Sequence, residues 1–442
     1  MRSSAVHVEF WFDFSCPYAY LASGAIEGVC REAGVELRLE PMLLGGVFRA
    51  IGAGDGPMAT LGAARAVSNL RDLQRWAERR GVPLVMPAGH PMRTVRALRV
   101  LLGLPPARWP AAMHALYAAY WQRAADVTDD DVIAAALAGA GVPADEVAAA
   151  RAAADTDAVK DDLRRRTERA VERGVFGAPA RVVVRDDAPA VLLWGQDRLH
   201  WLAAVLAGWD PDRGAPPASV ARVEPLAGAG AFTAPPATGR AVDFWFDYAS
   251  PFAYLASTQL EAIAAAAGAT VRYRPMLLGA LFKAIGTPDV PLFAMPDAKR
   301  RHVAGELERW ARWWGVPFRF PRRFPLRTVT PLRLTLLAGA RTPALVARLF
   351  RAAWVEDRDL ADPAELRALA TDVDVDPALV DRASEPEAKQ ALHDATAAAG
   401  RAGVFGAPTM IVDDPGGPLA FWGQDRLELV ADALRGWRPR AG

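Results

Sequence analysis

Trp11-Phe12-Asp13-Phe14-Ser15-Cys16-Pro17-Tyr18-Ala19-Tyr20-Leu21-Ala22-Ser23 returns later in the chain as Trp245-Phe246-Asp247-Tyr248-Ala249-Ser250-Pro251-Phe252-Ala253-Tyr254-Leu255-Ala256-Ser257. Three more segments return in the same order. Pro41-Met42-Leu43-Leu44-Gly45 matches Pro275-Met276-Leu277-Leu278-Gly279, and Gly174-Val175-Phe176-Gly177-Ala178-Pro179 matches Gly403-Val404-Phe405-Gly406-Ala407-Pro408. Trp194-Gly195-Gln196-Asp197-Arg198-Leu199 matches Trp422-Gly423-Gln424-Asp425-Arg426-Leu427. A spacing of about 230 residues marks a duplicated domain and not a solenoid of short repeats. The duplication is its own control, because positions that differ mark where the two sites parted. The sharpest difference is Cys16 against Ser250.

Outward from that stretch, Val6 to Phe14 is a β-branched and aromatic run, the pattern of a buried strand. Pro17 follows, and Ala19 to Ala33 reads as a helix, since proline is tolerated in a first turn where its missing N–H has no intrahelical acceptor. Val35 to Pro41 alternates apolar and charged residues, a strand with one wet face. From Met58 to Arg173 the pattern is helical and alanine-rich, broken at Gly81-Val82-Pro83, Pro105-Pro106 and Gly141-Val142-Pro143. Two short strands follow, Arg181 to Arg185 and Val191 to Trp194, and then a last helix from Asp197 to Leu206. Strand, helix, strand, helical block, strand, strand, helix is a thioredoxin-like order with a helical insertion. The expected organisation is two tandem α/β domains of this kind. The first spans 5–212 with its insertion at about 50–173, and the second spans 241–438 with its insertion at about 284–402. An Ala/Pro/Gly-rich linker occupies 213–240.

The chain has 442 residues, enough for two full cores. A formal net charge of +1 gives no global attraction to nucleic acid or to anionic membrane. No apolar run reaches the length of a membrane span. The N-terminal apolar stretch is cut by Glu9 and Asp13, so no secretory signal is expected. Two cysteines cannot build a disulfide framework, which suits a reducing cytoplasm. The six histidines have no metal-site spacing, and no phosphate loop or dinucleotide fingerprint occurs.

The junction of strand and helix at Cys16 and Ser250 lies beside unpaired N–H groups and the positive end of a helix dipole. A thiolate there is stabilised. The corner therefore suits a cysteine as the thiol itself, or a hydroxyl that hydrogen-bonds a thiolate carried by a ligand. On that argument the Cys16 thiol is expected to titrate below the roughly 8.5 of a free cysteine. Cys30 is expected to be an inert core residue about four turns down the same helix, too far away for a bridge. Cys16-Pro17-Tyr18-Ala19 also lacks the second cysteine of a dithiol motif. Pro179 and Pro408 stand before β-rich runs, which fits an edge or a turn and, in a thioredoxin-like arrangement, a cis-proline facing the corner.

As an ordered set, these motifs resemble the 2-hydroxychromene-2-carboxylate isomerases. Those proteins are relatives of kappa-class glutathione transferases and of DsbA-type oxidoreductases. The resemblance covers both halves and leaves out only the linker and termini. It implies a thioredoxin-like fold, reduced glutathione as cofactor and a role in aromatic-compound breakdown. The family's active serine falls on Ser250, with Cys16 standing at the matching place in the first half. The cis-proline falls on Pro179 and Pro408, preceded by Ala178 and Ala407. Glutathione contacts fall on Gln196, Asp197, Gln424 and Asp425, and basic contacts on Arg49 and Lys283. Tyr18, Phe252, Arg93 and Arg327 are the expected substrate contacts; an arginine can fork onto a carboxylate. The chain departs from the family, which often has asparagine where this sequence has Ala53-Gly54-Asp55, Thr287-Pro288-Asp289, Arg93 and Arg327.

The expected activity is a glutathione-dependent isomerase acting on a small aromatic substrate, without nucleic acid or membrane as partner. One alternative is a glutathione-linked oxidoreductase or transferase with Cys16 as nucleophile. The other makes the first half a non-catalytic partner. In either case the two halves are expected to pack as an intramolecular pseudo-dimer.

Overall fold

The computed structural model describes residues 6–54, 56, 61–217, 239–287 and 290–440. Most of the expected linker, together with Asp55, Met58, Pro288 and Asp289, lies outside these residues.

The first half opens with β1 (Val6–Phe12), α1 (Pro17–Glu32) and β2 (Glu36–Pro41). A helical block follows: α2 (Leu44–Ala50), α3 (Ala63–Arg79), α4 (Val95–Gly103), α5 (Trp109–Trp121), α6 (Asp130–Gly139), α7 (Ala144–Ala153) and α8 (Asp157–Glu172). The half closes with β3 (Ala180–Arg185), β4 (Ala188–Trp194) and α9 (Leu199–Leu206). The second half repeats this as β5 (Ala241–Phe246), α10 (Pro251–Ala266), β6 (Thr270–Pro275), α11 (Leu278–Ala284) and α12 (Asp297–Trp314). It continues with α13 (Val329–Leu337), α14 (Thr342–Trp354), α15 (Pro363–Thr371), α16 (Leu379–Arg382) and α17 (Pro386–Arg401). It ends with β7 (Thr409–Val412), β8 (Leu419–Trp422) and α18 (Leu427–Leu434).

Each half builds one four-stranded sheet, in the orders β2-β1-β3-β4 and β6-β5-β7-β8. The first pair in each is parallel and the other two pairs are antiparallel. The central strands are covered on both faces, which is why Phe10, Trp11 and Phe12 form an unbroken buried run. The helix after β1 starts at Pro17, two residues before the apolar pattern alone suggested. The last helices start at Leu199 and Leu427, so Gln196-Asp197 and Gln424-Asp425 lie in the turns before them.

One buried aspartate pins each strand–helix corner. Asp13 accepts from the Ser15 N–H at 3.0 Å, from the Leu44 N–H at 2.8 Å and from the Thr94 hydroxyl at 2.5 Å. Asp247 accepts from the Ala249 N–H at 2.9 Å and the Leu278 N–H at 2.8 Å, and Thr328 bonds it as well. Each carboxylate thus ties the corner to the Leu-Leu-Gly loop and to the loop ahead of α4 or α13. Thr167 and Thr396 hold the other side of the Leu-Leu-Gly loops, accepting at 3.0 Å from the N–H groups of Leu43 and Leu277.

The halves pack against each other around a pseudo-two-fold. Trp201 meets Trp310 with ring centroids 4.6 Å apart, and Trp209 meets Trp313 at 5.2 Å. The α3 helix crosses onto β8, where Arg75 donates to the Ala420 carbonyl at 2.5 Å. By the same symmetry Arg309, on α12, donates to the Leu192 carbonyl at 2.8 Å.

Candidate active site

Cys16 and Ser250 are the N-cap residues of α1 and α10, each followed by proline. Opposite each stands a cis peptide, Ala178–Pro179 or Ala407–Pro408. The Cys16 thiol donates to the Ala178 carbonyl across 3.1 Å, and the Ser250 hydroxyl donates to the Ala407 carbonyl across 3.0 Å. Ser250 Oγ also accepts from the Ala253 N–H at 3.1 Å, capping its helix, whereas the Cys16 side chain makes no cap bond.

The expected low pKa of Cys16 is corrected. Burial pushes this thiol up to about 12, against the weaker pull of the Ala19 and Tyr18 N–H groups, and nearby Asp13 adds to the rise. The dipole argument counted the helix terminus and missed the removal of water. Cys30 is buried in the core, as expected, and burial lifts its thiol to about 11. Both cysteines are free.

The glycine motifs owe their repetition to close approaches. A Cβ on Gly177 or Gly406 would stand 3.0 or 2.6 Å from the indole nitrogen of Trp194 or Trp422. Gly195 and Gly423 have φ of +98° and +103°. A side chain there would also meet the carboxylate of Asp197 or Asp425 at 2.7 or 2.5 Å.

Those two aspartates sit in a charge lattice between the halves. Arg426 grips Asp72 through two nitrogens, at 2.6 and 2.9 Å, and reaches Asp197 at 2.5 Å. The mirror arrangement has Arg198 on Glu306 at 2.8 Å and on Asp425 at 2.9 Å. Asp197 is buried, and Arg198 and Arg426 hold its carboxyl well below the usual range despite that burial. Asp425 is the more accessible of the pair. The Gln196 side-chain amide is buried with neither its oxygen nor its nitrogen hydrogen-bonded.

Arg49 and Lys283 lie near the ends of α2 and α11, and Arg93 and Arg327 in the loops before α4 and α13. All four are exposed, and none forms an ion pair among the described residues. Tyr18 is half-buried, its hydroxyl 3.4 Å from the Asn69 carbonyl and beside Asp72, and Phe252 takes its place in the second half.

Sequence reasoning missed two cations. Arg65, on α3, lies 5.0 Å over the Trp422 ring of the other half, and Lys299, on α12, lies 5.4 Å over Trp194. Both are half-buried, neither is ion-paired among the described residues, and burial lowers the pKa of each, with Arg65 adding to the fall at Lys299. Their equivalence in the two halves was the available signal, because each lies seven residues before the acid, Asp72 or Glu306, that meets the partner arginine.

Two tandem α/β units, each with a capped corner facing a cis-proline, define a thioredoxin-type architecture duplicated in one chain. The family model for the DSBA-like thioredoxin domain matches residues 7–207 and again 241–435, and the chain belongs to that family. It is 33% identical over 196 residues to a 2-hydroxychromene-2-carboxylate isomerase of Sphingobium xenophagum, spanning 44% of this chain and 98% of that one. An isomerase of the same name from Pseudomonas putida is 32% identical, spanning 44% of this chain and 93% of its own. Glutathione S-transferase kappa 1 of Caenorhabditis elegans is 27% identical, spanning 45% and 92%.

Proposed function

We propose that the chain is a glutathione-dependent isomerase of the 2-hydroxychromene-2-carboxylate type, with its chemistry at Ser250. The observation that carries this reading is the Ser250 hydroxyl, fixed at a helix N-terminus and 3.0 Å from the carbonyl that precedes a cis-proline. The similarity to isomerases of that name supports it.

The residues fit a short acidic thiol peptide. The Ala407 backbone, opposite the corner, can pair with the ligand's own peptide groups. The turn at Gln424-Asp425 opens toward a helix, where N–H groups favour a carboxylate. Lys299 and Arg65 between the halves and Lys283 on the surface, none of them ion-paired among the described residues, supply positive charge for the peptide's acidic ends. When bound, glutathione supplies a soft thiolate that adds reversibly to a conjugated double bond and so lets that bond rotate.

Ser250 turns its O–H from the Ala407 carbonyl toward a sulfur anion, while the Ala253 N–H keeps the oxygen in place. Asp247 holds the corner rigid through the three segments it ties, so the hydroxyl needs little reorganisation. Burial keeps the Asp247 carboxyl above the usual carboxylate range. Arg327 stands exposed to receive the substrate carboxylate. A reducing compartment suits the two free cysteines, and we assign the chain to the cytoplasm.

The test is turnover of 2-hydroxychromene-2-carboxylate with and without glutathione. The reading expects activity only with glutathione, and a loss of roughly 10–150-fold in Ser250→Ala from one lost bond to a charged group. Turnover at the same rate without glutathione contradicts it.

A further inference from the structure

Trp76-Ala77-Glu78-Arg79-Arg80-Gly81-Val82-Pro83 spans the end of α3, and Trp310-Ala311-Arg312-Trp313-Trp314-Gly315-Val316-Pro317 spans the end of α12. Two arginines of the first half thus stand where the second half has two tryptophans. Arg79 and Trp313 differ together with what they meet across the interface. Arg79 donates to Glu428 at 2.8 Å. Trp313 packs on His200, which holds the position matching Glu428, with ring centroids 5.0 Å apart. A salt bridge on one side is therefore an aromatic contact on the other.

Arg80 and Trp314 differ without such a match. The Arg80 guanidinium lies 5.3 Å over the Trp76 ring and donates to the Leu21 carbonyl at 2.9 Å and the Gln196 carbonyl at 2.6 Å. It joins α1, α3 and the turn before α9. In the second half the Leu255 carbonyl, which matches Leu21, accepts instead from the Thr258 hydroxyl at 2.7 Å, where the first half has Gly24. Trp314 brings no charge to the turn at Gln424, which matches Gln196.

A cleft opens at this place. It holds about 460 Å³ of space, part of it open to solvent, between α10, α12 and the turn before α18, with His200 of the first half as one wall. Trp310, Trp313 and Trp314 supply its indoles, and the Trp310 and Trp314 rings lie 4.6 Å apart. Gln259 and Gln424 supply amides, and Asp425 and Glu428 carboxylates. The cleft is not the catalytic corner. Gln259 and Ile263, which also line it, lie roughly 14 and 20 Å beyond Ser250 along α10 by helical rise.

The cations already beside the cleft are held by acids. Arg198 donates to Glu306 at 2.8 Å and to Asp425 at 2.9 Å, and Arg79 lies 2.8 Å from Glu428 and 3.3 Å from Asp432. Burial and the nearby Arg198 hold His200 down to about 3, so its imidazole is neutral at ordinary pH. We propose that the cleft binds a small planar organic cation, an amidinium or a guanidinium, in the place that the Arg80 side chain takes in the first half. Indole faces attract such a cation, and its fork of N–H donors suits the oxygens of Gln424 and Asp425. The site lies behind the turn and away from Ser250, so the proposal goes beyond the isomerase reading and does not depend on it.

The experiment is calorimetric titration of the full chain, without glutathione, using benzamidine and its uncharged counterpart benzamide. The expected result is one benzamidine per chain, bound at least roughly tenfold more tightly than benzamide. Trp314→Arg, which copies the first half, should weaken benzamidine by roughly tenfold or more, because the new guanidinium takes its place. Gln259→Lys adds a charge at the rim and should weaken benzamidine about three- to tenfold while leaving benzamide unmoved. That variant keeps the test open if Trp314→Arg misfolds. Absence of benzamidine binding, equal affinity for the two probes, or benzamidine affinity unmoved by Gln259→Lys and by any folded Trp314→Arg overturns the proposal. Neither glutathione nor turnover enters the measurement, so its failure and the failure of the isomerase reading are separate results.

Discussion

Cys16 and Ser250 hold the same place in the fold, and the water around them decides what each can do. A helix terminus lowers a thiol's pKa only while the ion stays partly hydrated or meets strong donors. Cys16 is 6% exposed, makes no cap bond and spends its proton on the Ala178 carbonyl. Its pKa of about 12 against an ordinary 9.0 leaves far less thiolate at neutral pH, on the order of a thousandfold. The sign follows for stability. The folded thiol keeps its proton longer than the unfolded one, so its contribution is complete below pH 9 and is lost as pH rises toward 12. Iodoacetamide at neutral pH should label neither cysteine in the folded chain, and both once urea has unfolded it. Fast labelling of folded Cys16 contradicts this and restores a nucleophile to the first half.

At the scale of elements, much of the architecture was legible. The buried run read at Val6 to Phe14 became a strand ending at Phe12, and the alternation before Pro41 and the breaks at Gly81 and Gly141 fell where elements begin or end. Repetition gave the corner, the cis-proline loop and the turn before the last helix. It did not give their surroundings. The charges on α3, Arg65, Asp72 and Arg75, pack against β8 and Arg426 in the fold. A charge pattern carries no record of which surface will cover it. Only the matching charges Lys299, Glu306 and Arg309 on α12 hint that both helices face alike surroundings. The thiol of Cys16 was misjudged for the same reason, since burial is a property of packing and not of spacing.

The whole molecule behaves as a dimer joined into one chain. A closed two-fold interface uses each surface patch twice, which explains why Arg198 and Arg426 make reciprocal bonds. Joining the copies freed each site to change alone, as the pairs Cys16/Ser250, Tyr18/Phe252 and His90/Phe324 record. The interface charges are buried, so removing Arg426 strands Asp72 and leaves Asp197 with Arg198 alone. Arg426→Ala leaves Asp72 and Asp197 without their shared cation and should cost about 3–5 kcal/mol in urea unfolding. A loss below about 1 kcal/mol would mean that water already screens this lattice.

The central claim is that Ser250 stabilises a thiolate brought by glutathione, and ultraviolet titration of the bound thiol tests it most directly. With the full chain in excess, the account predicts that bound glutathione ionises at lower pH than the free peptide. It also predicts that Ser250→Ala moves this pKa upward by roughly one to two units, the worth of one hydrogen bond to an anion. Cys16→Ser should leave it lowered. Bound glutathione that titrates like the free peptide, or a lowered pKa that survives Ser250→Ala, contradicts the account.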